Sequence, residues 1–244
     1  MKRVLVSVVL AGLTLAAPAR ADSVSVAVAA NFTKVAEDLA PLFTAETGHS
    51  VSYSFGATGQ LYTQISQGAP FEVFLAADDE RPEKAVADGL GVEGTVFTYA
   101  VGALALYSTS LDLSDGKAVL EANEFNKLAI ADPKTAPYGR AATEALEAMG
   151  LSAAVTPKLV TGENISQTLQ FVETGNAELG FVAASQVVGK ANVWIVPADL
   201  YEPIRQDAVL LKAGEANPAA RAYLDFLKSD KALAVIAAAG YAID

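Results

Sequence analysis

Two rhythms of apolar residues alternate along this chain. Val24-Ser-Val-Ala-Val-Ala29, Val51-Ser-Tyr-Ser-Phe55 and Phe71-Glu-Val-Phe-Leu-Ala-Ala77 are short runs that predict strands. Between them, Phe32, Val35, Ala36, Leu39 and Phe43 recur at helical spacing up to a stop at Gly48. Gly59 to Gln67 reads as a shorter helix closed by Gly68, and Glu80 to Asp88 as a third ended by Gly89. Pro41 removes one hydrogen bond and crowds the preceding turn, so it predicts a kink or an early end to the regular part of the first helix. Tyr99 to Tyr107 is a long, extended apolar stretch with a glycine inside, suited to crossing between domains.

The same plan then repeats. Lys127 to Ala131 predicts a strand, Tyr138 or Gly139 to Met149 a helix stopped by Gly150, and Lys158 to Val160 a strand. Ile165 to Thr174 follows as a helix stopped by Gly175, and Leu179 to Val182 and Val193 to Val196 as strands. After Pro197 the chain returns through Asp207 to Leu211 to helices at 218–228 and 230–239, the first with Asn217 as cap and Pro218 as its first residue. Strands alternating with helices predict an α/β fold of doubly wound parallel sheets covered on both faces. The repeat of the plan predicts two domains: residues 22–99 with 198–244 as a discontinuous lobe I, and 100–197 as lobe II.

The N-terminus stands outside this pattern. Met1-Lys2-Arg3, the apolar run from Val4 to Ala17 and Ala19-Arg20-Ala21 have the layout of a secretory signal peptide cleaved after Ala21. The run is shorter than the roughly 20 apolar residues that a membrane span needs. The expectation is a soluble protein released into a periplasm. With no cysteine, the chain has neither a disulfide framework nor a Cys-ligated metal nor a lipid-modified cysteine at the cleavage point. The formal net charge is −11, and it becomes more negative once Lys2, Arg3 and Arg20 leave, which disfavours nucleic acid and anionic lipid as partners.

Four turns carry the candidate chemistry: Ala30-Asn31-Phe32, Ala57-Thr58-Gly59, Pro137-Tyr138-Gly139 and Asn164-Ile165-Ser166. Each follows a predicted strand and opens a predicted helix, two in each half. A helix start leaves backbone N–H groups without intrahelical partners at the positive end of the macrodipole, so it favours an anion. In doubly wound sheets such starts gather beyond the carboxyl ends of the strands. Asn31 and Thr58 have a double potential, capping their own helices or donating to a ligand oxygen. Tyr138 and Ile165 offer backbone N–H groups. Lys34 and Arg140 are cations in a first helical turn, where they oppose the dipole; they are either solvated surface residues or neighbours of a bound anion. Glu163 is expected to point outward, because an unpaired buried carboxylate would repel a dianion. A cage of donors alone selects a fully ionised oxyanion.

Catalytic constellations are scarce. His49 is the single histidine, no Gly-x-Ser-x-Gly turn is present, and Asp78, Asp79 and Glu80 read as the acidic start of a helix rather than as a metal site. No enzymatic activity, free metal ion or cofactor is expected. An exported hydrolase is the reading from another class.

Taken in order, several segments resemble the periplasmic molybdate-binding proteins of ABC transporters, which have the type II periplasmic binding-protein fold. They are Val28-Ala-Ala-Asn-Phe32, Ser54-Phe-Gly-Ala-Thr-Gly-Gln-Leu61, Gly68-Ala-Pro-Phe-Glu-Val-Phe-Leu-Ala-Ala-Asp78, Ala131-Asp-Pro-Lys-Thr-Ala-Pro-Tyr-Gly139, Gly162-Glu-Asn-Ile165 and Leu179-Gly-Phe-Val182. The resemblance implies side-chain donors at Asn31 and Thr58 and backbone donors at Tyr138 and Ile165. It implies a two-stranded hinge near Ala100 and Pro197, and lobes that close on molybdate, with tungstate or sulfate as competing oxyanions. It also implies a monomer that docks on a membrane permease driven by a separate ATPase. Some members add a tyrosine hydroxyl after the strand matching Leu179–Val182; here that position is Ala183.

Overall fold

The computed structural model describes residues 22–243, so the signal peptide read at 1–21 lies outside the described residues. In chain order the elements are β1 (Ser23–Ala29), α1 (Thr33–Thr47), β2 (Ser50–Gly56), α2 (Thr58–Ser66), β3 (Val73–Leu75), α3 (Glu80–Ala87) and β4 (Phe97–Gly102). Next come β5 (Leu104–Ser108), α4 (Gly116–Ala122), β6 (Leu128–Ala131), α5 (Pro137–Ala148), α6 (Ser152–Val155), β7 (Leu159–Gly162), α7 (Ile165–Glu173), β8 (Leu179–Ala183) and β9 (Val193–Ile195). The chain ends with β10 (Ile204–Leu210), α8 (Pro218–Leu227) and α9 (Asp230–Ala238).

Two five-stranded sheets result, in the orders β2-β1-β3-β10-β4 and β7-β6-β8-β5-β9. Neither is purely parallel. In the first sheet β1 pairs parallel with β2 and β3, whereas β10 runs antiparallel to β3 and β4. In the second, β6 pairs parallel with β7 and β8, whereas β5 is antiparallel to β8 and β9. The antiparallel strands are those that enter from or return to the other lobe. Their direction is set by the crossing and not by a strand–helix–strand unit, so local periodicity does not report it.

The long apolar stretch at 99–107 is two strands, one in each sheet, broken at Ala103. Because β4 keeps Ala100 to Gly102 on the first sheet, the crossing falls at Ala103 and not at Ala100. The return lies between β9 and β10. Other differences are local. α1 continues through Pro41, which sits on its exposed side, and ends at Gly48 in the left-handed conformation with φ +75°. The third strand is shorter than its apolar run, yet the N–H groups of Glu72 and Ala76 still donate to the carbonyls of Ser25 and Asp207. α4 was not anticipated, although the Asp115 side chain caps it by accepting from the Ala118 N–H.

Each lobe has its own core. In the first, Val24, Val26 and Val28 of β1 pack with Phe32, Leu39 and Phe43 of the α1 segment and with Tyr223 and Phe226 of α8. In the second, Leu104, Leu106, Leu128, Ile130 and Phe181 pack with Ala142, Ala145 and Leu146 of α5. Ala29, Ala30, Ala57 and Ala77 of the first lobe belong to this second cluster, so the lobes meet through small side chains. Several bonds cross the same junction. The Gly59 N–H donates to the Thr135 carbonyl at 2.8 Å, and the Ser166 hydroxyl donates to the Ala30 carbonyl at 3.0 Å. Both bonds join the two lobes directly.

One buried acid on β10 bears on stability. Asp207 is 6% exposed and its Oδ1 has no partner among the described residues. Burial pushes its carboxyl above the ordinary 3.8; Asp79 and Glu83 add to the rise, while Thr98 and Arg205 oppose it. The folded chain then holds this proton more tightly than the unfolded chain. The stability it contributes is present in acid and is lost as pH rises above 3.8 through the raised value. Asp207→Asn should therefore raise the thermal midpoint at pH 7, with an advantage over the parent that shrinks as pH falls toward 3.5. Paired melts across that range check this, and an advantage independent of pH would count against it.

Candidate functional site

The four turns meet at one small pocket at the junction of the lobes. Ala29, Ala30, Gly56, Ala57, Thr58, Ala136, Pro137, Tyr138, Asn164 and Ile165 line it. Each turn lies at the carboxyl end of a strand: β1, β2, β6 and β7 feed α1, α2, α5 and α7. No charged side chain lines the pocket among the described residues.

The helix starts that form its wall are poorly capped from within. Ala29 precedes the 3-10 turn Ala30–Phe32 that leads into α1, Ala57 precedes α2, and Ala136 precedes α5; none supplies a side-chain cap. Alanine is among the poorest residues at this position. Asn164 does cap α7, but its Oδ1 accepts from the Ser166 and Gln167 N–H groups and leaves that of Ile165. Pro137 has no N–H, so Tyr138 carries the first amide of α5. The N–H groups of Asn31, Thr58, Tyr138 and Ile165 form no hydrogen bond with the described residues. A buried helix end in this condition calls for a partner from outside the chain.

Thr58 is 1% exposed, and its hydroxyl oxygen accepts from the Ala77 N–H at 3.0 Å. Its hydrogen is spent on none of the described residues. It does not cap α2, so the oxygen is fixed from behind while the proton is available to the pocket.

Asn31 differs from expectation. It is buried, it caps neither the 3-10 turn nor α1, and its side chain does not line the pocket. Its Nδ2 donates to Gln206 Oε1 at 2.8 Å and to the Tyr241 hydroxyl at 2.9 Å, which uses both amide hydrogens. The adjacent Ala30 forms the wall instead. Asn31 thus stands behind the pocket, and its backbone N–H, next to the lining residue Ala30, has no partner among the described residues.

Tyr138 is likewise buried, with its hydroxyl accepting from Gln206 Nε2 at 3.1 Å. Burial holds Tyr138 and Tyr99 well above the usual phenol range and pushes Tyr241 up to about 12, against the bonds from Ser185 and Asn31. All three remain neutral hydroxyls. Gln206, Tyr241 and Ser185 are not marked by the sequence pattern. A lone glutamine in a run such as Ile204-Arg-Gln-Asp-Ala has no local mark that tells a buried polar joint from a solvent-facing position.

The neighbouring charges face elsewhere. Glu163 is exposed; its N–H donates to Gln167 Oε1 and its carbonyl accepts from Gln60. Lys34 pairs with Asp38, and Arg140 lies 3.5 Å from Glu80 and 3.8 Å from Glu144, all on the surface. Asp78 is bound by Arg81 through both its backbone N–H and its guanidinium, and burial nevertheless raises its carboxyl above the usual range. His49 Nδ1 accepts from the Asp22 N–H. Ala183 is buried at the end of β8, with its N–H bound to Gln186. No group of acids or histidines suited to a metal ion occurs among the described residues.

The family described as bacterial extracellular solute-binding protein matches residues 24–242. A molybdate-binding protein ModA of Rhodobacter capsulatus is 56% identical over 229 residues, covering 93% of this chain and 91% of the relative. The ModA of Azotobacter vinelandii is also 56% identical, covering 96% and 94%. Among solved structures, the Azotobacter vinelandii periplasmic molybdate-binding protein superposes with a TM-score of 0.88 at 38% identity, over 91% of this chain and 99% of that one. The Mycobacterium tuberculosis sulfate-binding protein SubI, at 12% identity and a TM-score of 0.73, shares the fold alone. The chain belongs to the bacterial extracellular solute-binding protein family, in its ModA group.

Proposed function

We propose that this protein binds molybdate outside the cytoplasm and delivers it to an ABC importer. The observation that carries this reading is the convergence of four helix starts, three without side-chain caps, on one charge-free pocket. Its relatives at 56% identity are named molybdate-binding proteins.

The Thr58 hydroxyl and the backbone N–H groups of Asn31, Thr58, Tyr138 and Ile165 are the proposed donors. Each hydrogen bond to a charged group is worth roughly 1.5–3 kcal/mol, and a set of them offsets a dianion's desolvation only if it is fixed in place and dry. Lobe closure meets both conditions. With no carboxylate in the wall, the proton of hydrogen phosphate finds no acceptor there, so the pocket favours anions ionised throughout. Tungstate, of the same charge and shape, is the second ligand this reading admits. The function is transport and not catalysis, in the periplasm, as a monomer that presents its closed form to a permease and its ATPase.

Calorimetric titration of residues 22–244 with molybdate, tungstate, sulfate, phosphate and chromate tests the reading. Molybdate and tungstate should bind tightly and phosphate should not; phosphate binding with no response to molybdate would sink it. Thr58→Val should weaken molybdate binding by about 1–3 kcal/mol, because a ligand oxygen loses its donor. Gly59→Val probes closure separately. A Cβ there would lie 3.1 Å from the Thr135 Cα and 3.2 Å from its carbonyl across the cleft. The expected result is roughly tenfold weaker binding, about 1.4 kcal/mol. The ligand-free midpoint should not fall, since valine is a better helix former than glycine.

A further inference from the structure

Behind the pocket, a chain of buried polar groups joins the two lobes. It begins in the second lobe at Ser185, whose hydroxyl donates to the Tyr241 hydroxyl at 2.9 Å. Tyr241 donates to the Asn31 carbonyl at 3.0 Å and accepts from Asn31 Nδ2. Asn31 donates to Gln206 Oε1; the Tyr99 hydroxyl, which donates to the Ala76 carbonyl at 2.9 Å, lies 3.2 Å from the same oxygen. Gln206 Nε2 then donates to the hydroxyl of Tyr138, at the start of α5 in the second lobe. The path leaves one lobe, passes through a binding turn of the other, and returns to a second binding turn of the first.

Gln206 is the joint of this path. It is fully buried on β10, at the irregularity where the register with β4 shifts between Gln206 and Asp207, close to the return crossing. A glutamine is the economical choice at this point: its two ends are an acceptor and a donor at fixed separation, so one side chain can hold Asn31 and Tyr138 at once. The backbone has made room for it. A Cβ on Gly102 would lie 2.1 Å from the Tyr138 hydroxyl and 2.7 Å from Gln206 Nε2, so the neighbouring hinge strand carries no side chain there. Left unpaired, any of these buried groups would carry its full desolvation penalty, which gives the arrangement a strong preference for one geometry.

We propose that Gln206 is a positioning residue of the binding site: through one amide it sets the Ala30–Phe32 turn of the first lobe and the α5 start of the second in a common register. It touches no ligand. It places the backbone N–H groups of Asn31 and Tyr138 so that both face the pocket when the lobes close. This rests on the proposed anion site for its functional meaning, although the coupling of the two turns is a property of the chain itself.

The test uses Gln206→Met, which keeps length and volume and deletes both polar ends, beside Tyr138→Phe and the double variant. In hydrogen exchange without ligand, Gln206→Met should speed exchange of the amides at 30–32 and 138–140 together, at least fivefold, and leave the β1 and β6 amides unchanged. Against molybdate it should weaken binding at least tenfold. Adding Tyr138→Phe should weaken it less than twofold further, since the two substitutions break the same link. Exchange unchanged at either turn, or raised throughout a lobe, overturns the proposal, as do effects that multiply independently. If Gln206→Met does not fold, Tyr138→Phe alone must still loosen both turns. If the parent ignores molybdate, the function proposed above fails while the exchange result still decides the role of Gln206.

Discussion

Buried helix starts that their own chain does not satisfy are the constraint on which the rest of this molecule depends. A helix N-terminus can be finished by a side chain, by water or by a ligand. At Ala29, Ala57 and Ala136 the chain places a methyl group where a capping oxygen would normally be, and at Ile165 the cap stops one amide short. Small residues here also let the two lobes approach. Gly59 shows how tight the fit is: a Cβ on it would lie 3.1 Å from the Thr135 Cα of the other lobe.

Charge enters only indirectly. The chain is strongly acidic, yet the pocket wall is neutral and presents unpaired amides and one hydroxyl. Neutral donors suit a site that must release its ligand to a partner, because no counter-charge is stranded in a dry cavity when the lobes part. The ion pairs near the cleft, such as Arg140 with Glu80, are exposed and worth little individually. They do not line the pocket.

The polar path through Ser185, Tyr241, Asn31, Gln206 and Tyr138 ties the two lobes together in a definite geometry. Burial keeps its phenols neutral, so the path behaves as a set of hydrogen bonds and not as a charge relay. Asn31 illustrates the consequence. Its side chain has the chemistry of a ligand donor and of a helix cap, and the fold uses it as neither, because Gln206 and Tyr241 lie within reach and claim both hydrogens.

Local periodicity determined the order of strands and helices, the glycine stops, the break in the plan that makes two lobes, and the four turns that open helices. All of these depend on residues near in sequence. It also marked Thr58, Tyr138 and Ile165, since a turn between strand and helix is a local pattern; the resemblance of the surrounding segments then pointed to an oxyanion. The mixed direction of both sheets was decided by the crossings at Ala103 and after Ile195, which are long-range. The place of Asn31 was decided by residues 175 and 210 positions away, brought beside it only by the return of β10 and the C-terminal segment. Spacing along a chain reports what a side chain is able to do. Which of its bonds is made depends on neighbours that only the tertiary fold supplies.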